Sequence, residues 1–325
     1  MPWHAPGWLP AISAWLEDEL RRQGRAPCGP VTLVQARPWS AVLRMPTSSG
    51  DCYGKAVAPA LAHEVALTAA LAVWRSADVP QVLAADQSRG WLLLADAGVQ
   101  LRGLLQAPSD IQHWLAVLPR YAELQRDLAA RRAELLSLGA FDRRLATLPA
   151  QYSALLADTA MLRLDEPDGL TTAEHRQLVD LGPRIAGWCA ELAAYGLPET
   201  LHHDDFHDGN IFVRAGRYVF ADWGESCVAH PFFTLVVTLR SVAYRLGLAA
   251  ADPALARLRD AYLEPWTHNA SRADLLAASA LAQRLGMICR ALTWRQVLAA
   301  VPPADRAAHA DAVPGWLGEF LAAVA

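Results

Sequence analysis

The sequence predicts an α+β protein of two lobes, because strand-like and helical patterns occupy different parts of the chain. Five apolar runs of strand length, separated by Pro, Ser and Gly turns, lie near the start, at residues 31–36, 41–46, 52–57, 79–83 and 91–94. The chain beyond Gly98 is rich in Ala, Leu and Arg, and its apolar positions repeat with the period of a helix. We therefore expect a small mixed lobe with a sheet of about five antiparallel strands in residues 1–98, and a larger, mostly helical lobe in residues 99–325.

Helical patterns account for most of the remaining residues. An amphipathic helix at 11–24, ended by Gly24, precedes the strands, and a helical run at 59–75 follows the third of them. In the larger lobe, helices are predicted at 110–133, 172–195, 231–247, 252–263, 272–300 and 304–324. One segment differs: two strand-like runs flank the sequence Arg-Ala-Gly-Arg at 214–217, which has the composition of a hairpin turn.

The segment that contains this hairpin has the residue spacing that phosphoryl transfer from ATP requires. Asp205 lies two residues after His203 and five before Asn210, and Asp222 follows twelve residues later in Asp-Trp-Gly. The reaction needs a carboxylate beside the attacking hydroxyl and two oxygen ligands that hold Mg²⁺ against the phosphates. The order H-x-D-x-x-x-x-N, followed by D-x-G, supplies all three. Because the hairpin would return Asp222 to the neighbourhood of Asn210, the pattern favours a kinase of small molecules.

A second feature, independent of the first, is the single lysine of the chain. Of the 29 basic residues, 28 are Arg and one is Lys55, which lies in the strand-like run 52–57. Kinases use an ammonium group on the third strand to hold the α- and β-phosphates, and a helix glutamate fixes its direction. Glu64, in the helical run that follows, is placed to pair with Lys55. The alternatives are a lysine on the surface and a first-turn glutamate favoured by the helix dipole.

Two other functions stay open at this point. Imidazoles and carboxylates ligate divalent metals, so residues 202–208, with three histidines and three aspartates, are also compatible with a metal-dependent phosphohydrolase. The other alternative is a pseudokinase that binds nucleotide without transferring phosphate, although the carboxylate, both metal ligands and Lys55 are all present. The phosphohydrolase does not explain the hairpin and the Asp-Trp-Gly that follow, and the kinase is therefore preferred.

These residues resemble the motifs of the aminoglycoside phosphotransferase and choline kinase superfamily, the small-molecule relatives of protein kinases. That family commonly carries H-G-D-L-H-P-G-N before I-D-W-G, and this chain has His-Asp-Asp-Phe-His-Asp-Gly-Asn at 203–210 and Ala-Asp-Trp-Gly at 221–224. The resemblance implies a protein-kinase-like fold, with ATP and Mg²⁺ as cofactors. It also implies that Asp205 is the catalytic base and that Asn210 and Asp222 ligate Mg²⁺.

The resemblance extends to positions outside the motif core. It implies that Lys55 holds the ATP phosphates. Residues 91–98, Trp-Leu-Leu-Leu-Ala-Asp-Ala-Gly, resemble the last strand and the hinge of the nucleotide-binding lobe. There the backbone of Ala95 and Ala97 would meet the edge of the adenine. Within the motif, His203 is expected to brace the loop by hydrogen bonds.

The acceptor implied by the resemblance is a hydroxylated small molecule bound by the helical lobe. Glu225, which directly follows Asp-Trp-Gly, and His207 are the expected contacts to it. Acceptors related to aminoglycosides or choline are cations, which would need carboxylates or aromatic faces at that place.

The chain departs from the family pattern at two places that bear on the chemistry. Asp204 and Asp208 stand where the family usually has Gly and Pro, and they add negative charge beside Asp205. We expect this charge to raise the pKa of Asp205 by like-charge repulsion or to attract a cationic acceptor. After Asp-Trp-Gly, the sequence Ala-His-Pro at 229–231 replaces the usual Gly-Asp-Pro, which suggests a distinct subfamily.

Composition argues against several classes of function. A net charge of −4 and a pI near 6.2 argue against nucleic acid or an anionic membrane surface as the main partner. The first residues lack a basic segment followed by a long apolar one, so no signal peptide is expected. No apolar run reaches about 18 residues without a charge, which argues against a membrane span. Five cysteines without C-x-x-C spacing favour the reducing cytoplasm.

Overall fold

A five-stranded antiparallel sheet forms the N-terminal part of the protein, as the strand-like runs predict. The computed structural model describes residues 1–299 and 301–325. The strands of this sheet are β1 (Thr32–Ala36), β2 (Ser40–Thr47), β3 (Gly50–Val57), β4 (Val82–Asp86) and β5 (Trp91–Ala95). They follow the order β1-β2-β3-β5-β4, and every neighbouring pair is antiparallel. Strand β4 begins after Pro80, later than the predicted run 79–83, because proline has no N–H to donate to the ladder.

Helix α1 (Trp8–Arg22) packs against this sheet through an apolar stripe with helical spacing. Its residues Ile12, Leu16 and Leu20 are fully buried. Glycine at position 54 of β3 leaves room for α1, because a Cβ atom there would lie 2.7 Å from Leu16 Cδ1. The helix ends before Gly24, which takes a left-handed φ of 69°.

Helix α2 (His63–Trp74) is shorter than the predicted run 59–75. Residues Pro59–Leu61 instead form a 3₁₀ turn that connects β3 to the helix. Proline suits such a starting position because its φ is preset and its missing N–H has no helical partner there. Glu64 lies in the first turn of α2 and is buried.

Two further sheets are small. Their strands are β6 (Val99–Gln100), β7 (Phe141–Asp142), β8 (Thr200–His202), β9 (Ile211–Arg214), β10 (Arg217–Phe220) and β11 (Cys227–Ala229). One sheet has the order β10-β9-β6 and the other the order β7-β11-β8. Strands β9 and β10 are the predicted hairpin, which is confirmed; Ala215 and Gly216 turn the chain with φ values of 48° and 75°.

The remaining helices lie beyond β6. They are α3 (Leu101–Leu104), α4 (Ile111–Leu128), α5 (Arg132–Ser137), α6 (Leu148–Leu156), α7 (Thr159–Leu162), α8 (Thr172–Asp180), α9 (Gly182–Ala194), α10 (Thr234–Leu246), α11 (Pro253–Leu263), α12 (Arg272–Ala299), α13 (Pro303–Arg306) and α14 (Ala312–Val324). The predicted helix 172–195 is divided into α8 and α9, because Pro183 lacks the N–H that would continue the first helix.

The chain forms two compact units. The first unit comprises Met1–Leu101, Gly209–Gly224 and Ala299–Asp305, and the second comprises Arg102–Asp208, Glu225–Leu298 and Arg306–Ala325. The hairpin and Asp222 therefore belong to the first unit together with the five-stranded sheet. The lobe boundary after residue 98 stays a prediction.

Helix α12 is the longest helix among the described residues. By length and composition alone it is long enough to cross a membrane, with an 18-residue window of mean hydropathy 1.3. Within the protein, however, 67% of that window is buried. Such burial is typical of the core helix of a soluble protein.

Candidate active site

Six of the predicted site residues line one cavity of the first unit. The cavity has a volume of ≈ 380 Å³ and lies beside the five-stranded sheet. The predicted residues that line it are Lys55, Glu64, Ala95, Ala97, Asn210 and Asp222. Residues from strands, a helix and the hairpin segment, far apart in sequence, are thus brought to one place.

The ammonium group of Lys55 lies between two carboxylates of this cavity. Its Nζ atom is 2.5 Å from Glu64 Oε1 and 2.6 Å from Asp222 Oδ1. The Lys55 side chain is 9% exposed, so the alternative of a surface lysine is wrong. Burial alone would lower the pKa of Lys55, but the Asp222 and Glu64 carboxylates raise it above its usual value. Lys55 is therefore a cation at neutral pH.

The hairpin brings the segments that contain Asn210 and Asp222 together. The N–H of Ala221 donates to the carbonyl of Asn210 at 2.9 Å, which closes the base of the hairpin. Asp222 has a left-handed φ of 70°, and its side chain is 51% exposed. The glycine that follows in Asp-Trp-Gly leaves room for Glu64, because a Cβ atom on Gly224 would lie 2.8 Å from Glu64 Oε2.

The segment after β5 lines the cavity with its backbone. Ala95 is the last residue of β5, and its N–H donates to the carbonyl of Gln81 at 2.9 Å. A hydrogen bond from a nucleotide base to Ala95 would therefore need its carbonyl group. Asp96 Oδ1 accepts the N–H of Gly98 at 2.9 Å, which holds the segment on both sides of Ala97.

Asp205, the predicted base, lies in the second unit on the loop after β8. Its Oδ1 atom accepts a hydrogen bond from Nη2 of Arg290 at 2.8 Å, and its Oδ2 atom is 3.2 Å from Nε2 of His207. Burial would raise the pKa of Asp205, but Arg290 and His207 hold it well below its usual range. The expectation that Asp204 and Asp208 raise this pKa is therefore wrong.

The two additional aspartates of the loop are buried and paired. Asp204 takes a left-handed φ of 63° at the position where the family has Gly, and its Oδ1 atom is 3.0 Å from Nε2 of His202. Asp208 Oδ1 accepts from Arg102 Nη2 at 3.0 Å, and its Oδ2 atom lies 3.6 Å from Nε of Arg245. Both side chains are buried and contact polar groups of the protein, so neither is exposed on the surface of the loop.

The histidines of the loop have different environments. His203 is fully buried, its backbone N–H donates to the hydroxyl of Tyr121 at 3.0 Å, and its ring packs against Phe206. These contacts agree with a bracing role. His202 lies within 4.8 Å of the thiols of Cys227 and Cys289, measured between possible ligand atoms, but both of its ring nitrogens already contact Asp204 or Thr234.

Comparison with known families decides the wider relationship. The profile of the phosphotransferase enzyme family (APH) matches residues 31–275. The chain belongs to the phosphotransferase enzyme family. The match covers the sheet, the Asp205 loop and the hairpin, so the predicted superfamily and the class of small-molecule kinase are confirmed.

Solved structures of low sequence identity share the fold of this phosphotransferase. A choline/ethanolamine kinase family protein from Mesorhizobium loti is 19% identical, with a TM-score of 0.61 over 97% of this chain and 94% of that chain. A macrolide 2'-phosphotransferase of type I is 14% identical, with a TM-score of 0.54 over 90% and 96%. An amicoumacin kinase, in complex with AMP-PNP, Ca²⁺ and its ligand, is 11% identical, with a TM-score of 0.54 over 90% and 88%. The kinase-like α+β fold is thereby confirmed, whereas a search of curated proteins finds no match.

One polar residue that contacts the motif is not predicted from the sequence of the phosphotransferase. Arg290, on α12, donates to Glu225 as well as to Asp205. Burial raises the pKa of Glu225 to about 7, against the opposing effect of Arg290. In the sequence Arg290 is one of several arginines in an apolar helical run, and nothing local distinguishes it from Arg295, which pairs with a different aspartate.

Proposed function

We propose that this phosphotransferase moves the γ-phosphoryl group of ATP to a hydroxyl group of a small molecule. The observation that supports this most directly is the buried ammonium of Lys55 between Glu64 and Asp222, in the cavity that Asn210 also lines. Kinases use a lysine held by a helix glutamate to order the ATP phosphates, next to an aspartate that binds the metal ion. The chain supplies each of these groups.

The donor set of the cavity suits Mg²⁺. Asn210 and Asp222 offer amide and carboxylate oxygens, the ligands that Mg²⁺ prefers, and we assign both as its ligands. When bound, Mg²⁺ neutralises charge on the β- and γ-phosphates. We assign Lys55 to the α- and β-phosphates and Glu64 to the orientation of Lys55.

The adenine is assigned to the segment after β5. The carbonyl of Ala95 and the N–H of Ala97 would bind the polar edge of the base, since both residues line the cavity. Apolar side chains of the sheet complete the cavity, and Val42, Leu92 and Leu94 are among those that line it. An apolar cavity with a few directional backbone groups is the usual form of a nucleotide base site.

In the proposed reaction Asp205 orients the acceptor. Its carboxylate accepts a hydrogen bond from the attacking hydroxyl and takes the proton late, because the transition state of phosphoryl transfer is loose. The lowered pKa of Asp205 keeps this carboxylate ionised at neutral pH. His203 braces the loop, and His207 and Glu225 are assigned as acceptor contacts.

The two alternatives receive no support from the described residues. A phosphohydrolase would use the loop carboxylates as metal ligands, but Arg290 contacts Asp205 and lies 3.7 Å from Asp204, so a guanidinium is present where that metal would bind. A pseudokinase usually lacks one of the four groups at Lys55, Asp205, Asn210 and Asp222, and here all four are present. The transferase is preferred for these reasons.

The acceptor class and the compartment belong to the same proposal. The similar structures are described as a choline/ethanolamine kinase family protein, a macrolide phosphotransferase and an amicoumacin kinase, so a hydroxylated small molecule is the acceptor we propose. The cytoplasm is the proposed compartment, because each of the five cysteines is a free thiol. That neither nucleic acid nor a membrane is a partner stays a prediction from composition.

Calorimetry of ATP binding tests the proposal. We expect ATP to bind in the presence of Mg²⁺ and to bind at least about tenfold more weakly without it or in Asp222→Ala, because a metal ligand is lost. Asp18→Ala is the matched control, since Asp18 is an exposed residue of α1 that pairs with Arg21 on the same helix. The proposal fails if millimolar ATP with Mg²⁺ does not bind, or if Asp222→Ala binds as the wild type does.

A further inference from the structure

Arg290 is a buried cation among three carboxylates of the second unit. Its Nη2 atom is 2.8 Å from Asp205 Oδ1, and its Nη1 atom donates to Glu225 and lies 3.7 Å from Asp204 Oδ2. The residue is 5% exposed. Its guanidinium carbon lies 5.3 Å from the centroid of the Trp294 ring, so the guanidinium group also makes a cation–π contact.

This arrangement fixes two carboxylates of the proposed acceptor site at once. The planar fork of a guanidinium can bind two carboxylates in defined directions, which the ammonium of a lysine does not do. A buried carboxylate needs a partner cation. Without Arg290, Asp205 and Glu225 would form a position that binds an ammonium group. Arg290 fills that position with a cation of the protein itself.

The rest of the catalytic loop is compensated in the same way. Asp208 pairs with Arg102 and Arg245, and His207 lies against both Asp205 and Asp208. Together with Arg290, three guanidinium groups and the imidazoles of His202 and His207 face the four carboxylates of the loop and of Glu225. The loop therefore offers an acceptor no surplus of negative charge.

We propose that Arg290 is a positioning and specificity-determining residue of the phosphotransferase, an inference that rests on the proposed function. It holds Asp205 and Glu225 in one arrangement and occupies the place that an ammonium group of the acceptor would take. The acceptor is therefore a hydroxyl compound that is uncharged or anionic near its reacting hydroxyl. A polycationic or choline-like acceptor does not fit this site.

The test uses protein with isotope-labelled histidine, and ethanolamine as the probe. Ethanolamine carries a hydroxyl group and is a cation at neutral pH. The variants are Arg290→Met, which removes the charge, and Arg290→Lys, which keeps the charge without the fork. Arg295→Met is the matched control, because Arg295 lies on the same helix and pairs with Asp158 instead. NMR titration follows the imidazole signal of His207, assigned with a His207→Gln protein.

The pKa of His207 is the first readout. The charged and titratable groups that face His207 are Asp205, Asp208 and Arg102, and Arg290 and His203 act on Asp205 in turn. In Arg290→Met we expect the pKa of His207 to rise by about one unit, because Asp205 loses its cation. Arg295→Met should keep the wild-type value. An unchanged His207 pKa in Arg290→Met would overturn the positioning role.

Ethanolamine binding is the second readout. Arg290→Met should bind ethanolamine at least about tenfold more tightly than the wild type, whereas Arg290→Lys and Arg295→Met should not. Equal affinity in the wild type and Arg290→Met, whether strong or undetectable, overturns the specificity role. If Arg290→Met does not fold, Arg290→Gln takes its place, because it removes the charge, keeps N–H donors for the two carboxylates and leaves Asp205 and Glu225 intact. Mg²⁺-ATP calorimetry on the same proteins reports the nucleotide site of the first unit, so a failure of the proposed function is recognised separately.

Discussion

The Asp205 carboxylate is surrounded by groups that stabilise its ionised form. Arg290 and His207 each contact one of its oxygens, and their effect on its pKa exceeds that of burial. A carboxylate with so low a pKa is a weak base in the ground state. It is suited to orient a hydroxyl group and to accept the proton only when phosphoryl transfer is nearly complete.

Asp205→Asn tests this role directly. We expect the rate of transfer to fall by about 10²- to 10⁴-fold, because the amide cannot accept the proton, while the affinity for Mg²⁺-ATP stays close to the wild-type value. ADP release with a hydroxylated acceptor measures the rate, and calorimetry measures the affinity. Asp260→Asn is a control, since Asp260 pairs with Arg259 and Arg272. Wild-type turnover in Asp205→Asn would show that another group is the base.

At the scale of residues, local spacing predicts the motif but not its partners. Asp205, Asn210 and Asp222 lie within a short segment, so their spacing alone predicts that they act together. Lys55 is recognisable because it is the single lysine in the chain. Arg290 contacts Asp205 across 85 residues, and such a pair depends on the tertiary fold. The expectation of a raised pKa for Asp205 is wrong for the same reason. Asp204 and Asp208 are its neighbours in the sequence, whereas Arg290, which lowers the pKa, is near Asp205 only in the fold.

The connection between β5 and β6 is the element on which the nucleotide cavity depends. Gly98 has a left-handed φ of 100°, and a Cβ atom there would lie 2.2 Å from the carbonyl oxygen of Val213 in β9. Residue 98 must therefore be a glycine for two reasons, the backbone conformation and the close approach of β9. Gln100 adds a hydrogen bond from its side-chain amide to the carbonyl of Gly209 at 2.6 Å, which ties β6 to the start of the hairpin.

Gly98→Ala is expected to separate β6 from β9. The free energy of unfolding should fall by about 2 kcal/mol or more, because strain and a backbone clash act together, and the affinity for Mg²⁺-ATP should fall as well. Gly103→Ala is the matched control, since Gly103 is in helix α3 and a Cβ there would meet none of the described residues outside its own stretch of helix within 4 Å. Urea unfolding and calorimetry measure both proteins. Equal stability of Gly98→Ala and the wild type would contradict the close approach.

At the scale of elements, the length of the pattern decides what can be predicted. Strands β1 to β5 have five to eight residues, enough for apolar runs between turn residues to be recognised. Strands β6 and β7 have two residues each and form only because a partner strand is present, so no local sequence pattern predicts them. The helical period predicts that the helices are present, but not where they begin and end. The observed ends differ from the predicted ones at Pro59, which starts a 3₁₀ turn, and at Pro183, which lies in the first turn of α9.

The functional groups of the whole molecule are divided between its two compact units. Lys55 and Asp222 belong to the first, whereas Asp205, Glu225 and Arg290 belong to the second. The nucleotide assignments and the acceptor assignments can therefore be tested with separate measurements. ATP affinity reports the first set, and the ionisation state of the loop reports the second.

The stability of the whole molecule should depend on pH through its buried histidines. Burial lowers the pKa of His230 to about 3, with a further effect of His202. An unfolded histidine has a pKa of about 6.5, so between about pH 6.5 and 3 the unfolded state binds the additional proton and the free energy of unfolding falls as pH falls, by up to about 1.4 kcal/mol per pH unit. His230→Asn keeps a side-chain acceptor for the N–H of Phe232. In urea unfolding from about pH 7 to about pH 4.5, we expect the free energy of unfolding of His230→Asn to fall less steeply with pH than that of the wild type, by the equivalent of about one proton. His268→Asn, at an exposed position, should keep the wild-type slope. Equal slopes in the wild type and His230→Asn would show that His230 is protonated in the folded protein.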